Sequence, residues 1–318
     1  MAEFIIYTKL IVEEARRRGF KITAYPEINR NYAELEYKGH KEKFYQAMGD
    51  NFGQASHKIL FHKELAATLL REAGFPVPDS VITGDYGEAE DFLKSHARIV
   101  VKPVGRCGGI GITVNVRSEE ELKEAFGRAK RNTRSKLERV ICQEMIDGDD
   151  NRLLVLDQYK VFAARRVPAH VIGDGKRTVA QLVEKWNKKV VEMRHIKLDE
   201  DAEKVLREQE LTRESVPADG VKVKLCHLAN AHRGAIIEDV TDTVSPEAKA
   251  LAIEVARYFK CPFIGIDMIA PDITKQAGKI IELNPHAGIV LHHFPTAGKP
   301  RNVAGAIIDM LFPEQAKP

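Results

Sequence analysis

Apolar and polar positions along the chain alternate between helical and strand periodicity from one end to the other. From Thr8 to Phe20 apolar residues recur at three- and four-residue spacing and the run stops at Gly19, which predicts a helix with a strand, Lys21 to Tyr25, behind it. His62 to Ala73 predicts a second helix, closed by Gly74 and by Pro76-Val77-Pro78. Arg98 to Pro103 is a buried strand that runs into the glycine cluster Gly105 to Gly111, and another strand, Ile112 to Val116, follows. Glycine loops that open a helix are the mark of Walker and dinucleotide-binding phosphate sites, so this strand, loop, strand order argues against both.

Ser118 and Glu121 form a capping box ahead of Leu122, Ala125, Phe126 and Ala129, which fall on one helical face. Val140 to Glu144 predicts a strand that enters an acidic turn, Asp147-Gly148-Asp149-Asp150. Leu153 to Leu156 and Val161 to Ala164 then pair around Asp157-Gln158, and the lobe boundary falls near Glu144. The stretch from Thr178 to Arg213 is charged and helix-rich, with the lone Trp186, and reads as a cover over a site. Ser245-Pro246-Glu247 opens a helix with the apolar face Ala248, Leu251, Ala252, Val255, Ala256 and Phe259. Two strands close the pattern, Phe263 to Ala270 and Lys279 to Asn284.

That last pair carries the sharpest chemistry. If the hairpin is symmetric, Ala270 pairs with Lys279, and the register places Asp267 opposite Glu282, with Asn284 on the same face. Three hard oxygen donors converging from paired strands suit Mg²⁺ held with substrate phosphates; the alternative is a half-exposed polar sheet face. Lys102 is a lone cation at the end of an apolar strand, just before glycines at 105, 108, 109 and 111 whose backbone N–H groups can approach phosphates. Alone, that loop is equally a structural hairpin. Together with the carboxylates it describes a site for nucleotide phosphates and magnesium.

Composition changes this picture little. The 49 basic and 46 acidic residues give a net charge of +3, which offers no argument for a nucleic-acid or membrane partner, so any strongly basic site is local. No apolar run or leader pattern suggests a membrane span or signal peptide, and a cytoplasmic enzyme is expected. Cys107, Cys142, Cys226 and Cys261 are too scattered for a zinc site or a disulfide framework.

Several segments resemble the ATP-grasp carboxylate–amine ligases, and most of all the ATP-grasp module of cyanophycin synthetases. They are Lys63-Glu-Leu with Ala73 to Pro78, Val100-Val-Lys-Pro103, Arg166 to Gly175, Asp239-Val-Thr-Asp242, Gly265-Ile-Asp267, Ile281-Glu-Leu-Asn284, Gly298 to Val303, and Asp309 to Pro313. The glutathione-synthetase module of bifunctional glutathione enzymes is similar over the same stretches. The resemblance implies an α+β ATP-grasp fold with ATP between two lobes. Residues 1–60 would be a short N-terminal α/β segment, 61–145 the small lobe with the glycine-rich loop, and 146–318 the large lobe with the magnesium site and a helical cover over 178–213.

It also implies roles. Lys63 and Lys102 would contact the ATP phosphates, under the loop of Gly105, Gly108, Gly109 and Gly111. Gln143, Glu144 and Met145 would form the hinge beside adenine, and Asp150 would hold the ribose hydroxyls. Arg166 would stabilise the transferring phosphoryl group with support from Arg152, and Asp267, Glu282 and Asn284 would hold two Mg²⁺ ions. Amino-acid or small-peptide substrates and a homo-oligomeric enzyme complete the expectation.

The chain departs from the cyanophycin-synthetase pattern at three places. Ala229 to Ala235 replaces a Ser-Thr-Gly-Gly loop, Val290 precedes Leu291-His292 where an arginine precedes Met-His, and Gly108 stands where a histidine is usual. The first two border the family's acceptor site, so Asn230, His232, Arg233, His292 and His293 become the substrate candidates. With no Mur-ligase-like domain in this sequence, a free-standing ligase making a dipeptide or adding one amino acid to a small acceptor is expected. The alternatives are a glutathione-synthetase-like ligase with a γ-glutamyl acceptor and a catalytically silent ATP-binding regulator.

Overall fold

The computed structural model describes residues 3–50, 52–106, 109–190, 192, 195–227, 229 and 234–315. Helix α1 (Ile6–Arg17) buries Ile11, Val12 and Ala15 and ends at Gly19, whose φ of 82° turns the chain. An antiparallel meander follows: β1 (Lys21–Thr23), β2 (Tyr32–Tyr37), β3 (His40–Tyr45) and β4 (Met48–Gly49). The last three of these strands were not expected, although Ala33 and Leu35 alternate with Glu34 and Glu36 at strand period. Ala33, Leu35 and Phe44 face the core, while Glu34 opposes Lys43 and Glu36 opposes Lys41 on the other face.

Helices α2 (Gln54–Phe61) and α3 (Lys63–Glu72) lead into a second sheet of order β5-β8-β6-β7. Its elements are β5 (Ser80–Thr83), α4 (Tyr86–Ser95), β6 (Ile99–Pro103), β7 (Thr113–Val116), α5 (Glu119–Asn132) and β8 (Val140–Glu144). The Ser118–Glu121 capping box starts α5. Strand alternation sends Ile99, Val101, Val140 and Cys142 into a core with α4 and α5. The opposite face therefore carries Lys102 beside Ile141 and Val100 beside Gln143.

The largest sheet has the order β13-β10-β9-β14-β15, every pair antiparallel. Strands β9 (Asp149–Leu156) and β10 (Lys160–Val167) form a hairpin whose turn holds Asp157 and Gln158 at φ of 50° and 59°. A ribbon of β11 (His170–Ile172) and β12 (Lys222–Lys224) intervenes, packing α6 (Val179–Asn187) and α7 (Glu200–Arg207) around Val179, Leu182, Leu206 and Val223. The chain returns through β13 (Ile236–Asp239), α8 (Pro246–Tyr258), β14 (Phe263–Ala270), β15 (Lys279–Asn284), α9 (Val290–His293) and α10 (Val303–Leu311). Helix α8 covers one face of the sheet. On the other face Leu154, Leu156, Phe162 and Phe263 pack under α1 and α10. Arg18 ties these two helices together through Glu14 and Asp309. No helix among the described residues is long and apolar enough to cross a membrane.

The acidic stretch at 147–150 is not one turn. Asp149 and Asp150 already belong to β9, paired with Ala270 and Ile269, and the chain bends at Gly148 with φ of 139°. A Cβ at that position would run into the backbone of Ala270 and Pro271. Gly148→Ala is expected to lower unfolding stability by about 1–3 kcal/mol or more, read by chemical denaturation, because it combines backbone strain with a main-chain collision.

Candidate active site

Helix α3, the small sheet with its glycine loop, and strand β15 bring the cleft residues together. Lys102 faces the cleft because Val101 and Pro103 take the buried phase of β6, and its Nζ donates to Gln143 Oε1 at 2.9 Å. Lys63, at the start of α3, donates to the carbonyl of Arg106 at 2.7 Å and pairs with Glu282 of β15 at 2.8 Å. Burial pushes the Lys102 ammonium down to about 8; the charge of Glu282 opposes that shift and Lys63 adds to it. A desolvated cation with one carboxamide partner, beside an open cleft, favours an incoming anion. Gly105, Gly109 and Gly111 hold φ of 72°, 78° and 74°, and apolar side chains including Ile82, Ile141 and Ile280 line the remaining wall.

Glu144 bridges to Lys279 of β15 at 2.8 Å and takes the Asp79 amide at 3.3 Å, while the Met145 amide donates to Arg98. Gln143 lines the cleft; Glu144 and Met145 stand where β8 leaves it.

The second group lies on one face of the large sheet, and strand register puts it there. Asp150 and Arg152 are two apart on β9; Arg166 opposes Asp150, and Asp267 opposes Arg152. Asp267 also opposes Glu282, and Asn284 is two further along β15. The hairpin differs from the symmetric one expected: Lys279 pairs with Ile269 rather than Ala270, and an irregularity between Asp267 and Met268 takes up one residue. The slip and the bulge cancel, so the Asp267–Glu282 pairing survives.

Arg152 clamps Asp267 through Nε and through Nη2, the latter at 3.1 Å. Arg166 Nη2 reaches the same carboxylate at 3.1 Å and also binds Asp150, while Asn284 Nδ2 donates to Asp267 at 3.2 Å. Burial alone would push the Asp267 carboxyl up, but the two guanidinium charges outweigh it and hold it well below the usual range. Asp150, with Arg166 as its partner, is driven up by burial. The resemblance puts Asp150 at the ribose hydroxyls; here it pairs with Arg166 and is not among the residues lining the cleft.

Two carboxylates and a carboxamide are a hard-oxygen set of the kind Mg²⁺ takes. Among the described residues no three His, Cys, Asp or Glu side chains gather so as to hold a metal ion, so the fit rests on Asn284 as third donor and on Glu282 exchanging Lys63 for a metal. Gly108, Asn230, His232 and Arg233 lie outside the described residues. His292 is fully buried on α9.

Sequence reasoning missed Arg106, which lines the cleft from within the glycine loop, and Lys279. It also missed the partnership of two of its own segments: Arg301 binds Asp239 and Asp242, and Lys299 pairs with Asp242 at 2.7 Å. A cation inside a phosphate-type loop was a usable signal for Arg106. For the others, separations of up to 135 residues left none.

Residues 68–212 match the family model described as prokaryotic glutathione synthetase, ATP-grasp domain. Cyanophycin synthetase of Nostoc sp. (strain PCC 7120 / SAG 25.82 / UTEX 2576) is 34% identical over 97% of this chain and 35% of its own length. Glutathione biosynthesis bifunctional protein GshAB of Clostridium perfringens (strain 13 / Type A) is 29% identical over 96% of this chain and 41% of its own. The crystal structure of a bifunctional glutathione synthetase from Pasteurella multocida superimposes with a TM-score of 0.74 at 28% identity, over 98% of this chain and 44% of that one. The chain thus spans less than half the length of each of these three proteins.

The two candidate carboxylates differ sharply in their surroundings. Asp267→Asn leaves two buried guanidinium groups short of charge and is expected to cost about 3–5 kcal/mol of stability. Glu282→Gln breaks an ion pair whose side chains are 27% and 29% exposed, and is expected to cost no more than about 1 kcal/mol. Denaturant titration of both variants checks the contrast, and equal losses would contradict it.

Proposed function

We propose, on the premise that this chain belongs to the ATP-grasp superfamily, that it is an ATP-dependent carboxylate–amine ligase. It activates a carboxyl group as an acyl phosphate and joins it to an amine, on amino-acid or small-peptide substrates, releasing ADP and phosphate. The observation that carries this reading is the joining of two charge systems by one strand. Glu282 reaches the lysine cleft, and two residues away Asn284 reaches the arginine-held Asp267.

Lys63, Lys102 and the backbone at Gly105, Gly109 and Gly111 would cradle the triphosphate, with the apolar wall of Ile82, Ile141 and Ile280 taking the base. Asp267, Glu282 and Asn284 would hold Mg²⁺, which when bound neutralises phosphate charge. A substrate carboxylate oxygen attacks the γ-phosphorus and ADP leaves. Arg166, kept cationic between Asp150 and Asp267, would balance charge on the transferring oxygens. The amine then attacks the acyl carbon, phosphate departs, and the amine loses a proton. Water at this point hydrolyses the acyl phosphate, so the site has to be closed.

A γ-glutamyl acceptor is the second reading, supported by the match of residues 68–212 to a glutathione-synthetase domain. A catalytically silent regulator would be expected to have lost a lysine or a metal-ligand candidate, and Lys63, Lys102, Asp267, Glu282 and Asn284 are all present.

Two experiments follow. Incubated with Mg²⁺, ATP and a panel of amino acids and short peptides that includes γ-glutamylcysteine, the protein should form ADP only with a suitable carboxylate. Hydroxylamine should then trap a hydroxamate, and ¹⁸O from the carboxylate should appear in phosphate; AMP with pyrophosphate would sink the acyl-phosphate route. Separately, a bound phosphate should draw Lys102 back toward its ordinary value. Below about pH 8 the ammonium is already formed, so affinity for ATP should be highest there, and it should fall as pH rises through 8 with a proton taken up on binding. Calorimetry in buffers of differing ionisation heat reads that uptake; an affinity flat from pH 7 to 9.5 would contradict it.

A further inference from the structure

Between residues 128 and 139 the chain carries Arg128, Lys130, Arg131, Arg134, Lys136 and Arg139 against the single acid Glu138. With 49 basic and 46 acidic residues overall, this short stretch holds more than the whole net charge, and the remainder of the chain is slightly acidic. It runs from the last turns of α5 into the connection to β8. Lys130 pairs with Glu138 at 3.6 Å; the other five cations are exposed, and among the described residues none of their side chains makes an ion pair or hydrogen bond. The negative end of α5 stabilises Lys130 and Arg131 in its last turn. Arg134, Lys136 and Arg139 lie beyond the helix, so its dipole does not account for them. Cations crowded this closely repel one another, and Glu138 is the one acid in the stretch to offset it.

The stretch is built into the back of the glycine loop. The Arg134 amide donates to the Val104 carbonyl at 3.0 Å, and Thr133 Oγ1 reaches the same carbonyl at 3.4 Å. Both stems of the loop press against it: a Cβ at Gly105 would lie 3.2 Å from Cβ of Arg134, and one at Gly111 would lie 2.9 Å from Cβ of Asn132. Arg106, which lines the cleft, donates through Nε to the Asn132 carbonyl at 2.6 Å, and its guanidinium has no other hydrogen bond or ion pair among the described residues. Lys63 in turn donates to the Arg106 carbonyl, so a short chain of bonds joins the basic turn to the phosphate cleft.

None of the five exposed cations is among the residues lining that cleft, so what they contribute there is a field and not a contact. Such a field reaches about 8 Å at physiological salt and about 30 Å at 0.01 M, and apolar walls such as Ile82 and Ile141 focus it. The one exposed large apolar side chain of the stretch is Leu137, and with no exposed ring it offers no stacking platform for the bases of a single-stranded nucleic acid.

We infer that the basic turn behind the glycine loop is an electrostatic guide for the polyphosphate of the incoming nucleotide, drawing it past Arg106 toward Lys63 and Lys102. This rests on the nucleotide reading of the cleft given above. The guide acts on the rate of arrival and leaves the bound state as it is.

Stopped-flow association of a fluorescent ATP analogue, with Mg²⁺ present, tests this in three proteins. They are the wild type, a variant combining Arg128→Gln, Arg131→Gln, Arg134→Gln and Arg139→Gln, and the four corresponding Arg→Lys changes. At about 0.01 M salt the glutamine variant should associate roughly fivefold or more slowly than the wild type, with the dissociation rate within about twofold. The gap should close by about 1 M, where the screening length has fallen to about 3 Å. The lysine variant, which keeps the charge without the guanidinium geometry, should keep the wild-type rate. A deficit that survives high salt, one that appears equally in the lysine variant, or one carried by dissociation overturns the proposal. Equal association at low salt overturns it as well, and leaves the patch to a macromolecular polyanion. If the glutamine variant does not fold, Arg131→Gln with Arg134→Gln is read by the same criteria, with a deficit of about twofold or more expected. Wild-type protein that binds no nucleotide is a distinct result, because it removes the nucleotide reading itself.

Discussion

The pairing of Arg152 with Asp267 across β9 and β14 is the constraint on which the rest of the site depends. It lies in the middle of the largest sheet, with side chains 9% and 7% exposed, on a face whose other end is Leu154, Leu156, Phe162 and Phe263. Stability does not explain it, since an apolar pair of similar shape in such a place is commonly neutral or more stable by about 1–4 kcal/mol. What the pair supplies is an ionised carboxylate held in one orientation, which Arg166 and Asn284 then share. The sheet is built to keep that carboxylate charged while buried. Gly265 contributes by lacking a Cβ, which would lie 3.2 Å from the Arg152 stem.

Strand β15 carries the influence of that centre outward. Within four residues Lys279 bonds Glu144 at the end of the small sheet, the Ile280 amide donates to the Pro76 carbonyl, and Glu282 holds Lys63. The strand that presents two of the three metal-ligand candidates, Glu282 and Asn284, is therefore also the one against which the small sheet and α3 are set. A displacement of the small sheet would be felt at Lys279, and the arrival of a cation at Glu282 would release Lys63 toward phosphate.

Much of this was legible in the sequence wherever the signal was local. The capping box at Ser118, the stop at Gly19, the strand, loop, strand order around Lys102 and the face shared by Glu282 and Asn284 follow from spacing alone. The Asp267–Glu282 pairing was reached through a hairpin register one residue off at its turn, and it held only because the irregularity beside Met268 restored it. Illegible were the effects that need strand order. Nothing in the spacing of Arg152, Arg166 and Asp267 says that β9 lies between β10 and β14, so the arginine clamp stayed hidden until the topology was known. Meander strands β2 and β3 were missed because their alternation is carried by charged residues rather than by long apolar runs, and β4 because it is only two residues long.

On the proposed reading, the cleft around Lys102 receives the phosphates of a magnesium nucleotide. The most direct measurement of this is the equilibrium affinity of a non-hydrolysable ATP analogue, with and without Mg²⁺, for the wild type and for Lys102→Met, each checked as folded. Binding to the wild type should depend on Mg²⁺ and weaken by roughly tenfold to a hundredfold in the variant, the range of one charged hydrogen bond of about 1.5–3 kcal/mol. Equal affinity in the two proteins, or wild-type binding indifferent to Mg²⁺, would contradict it.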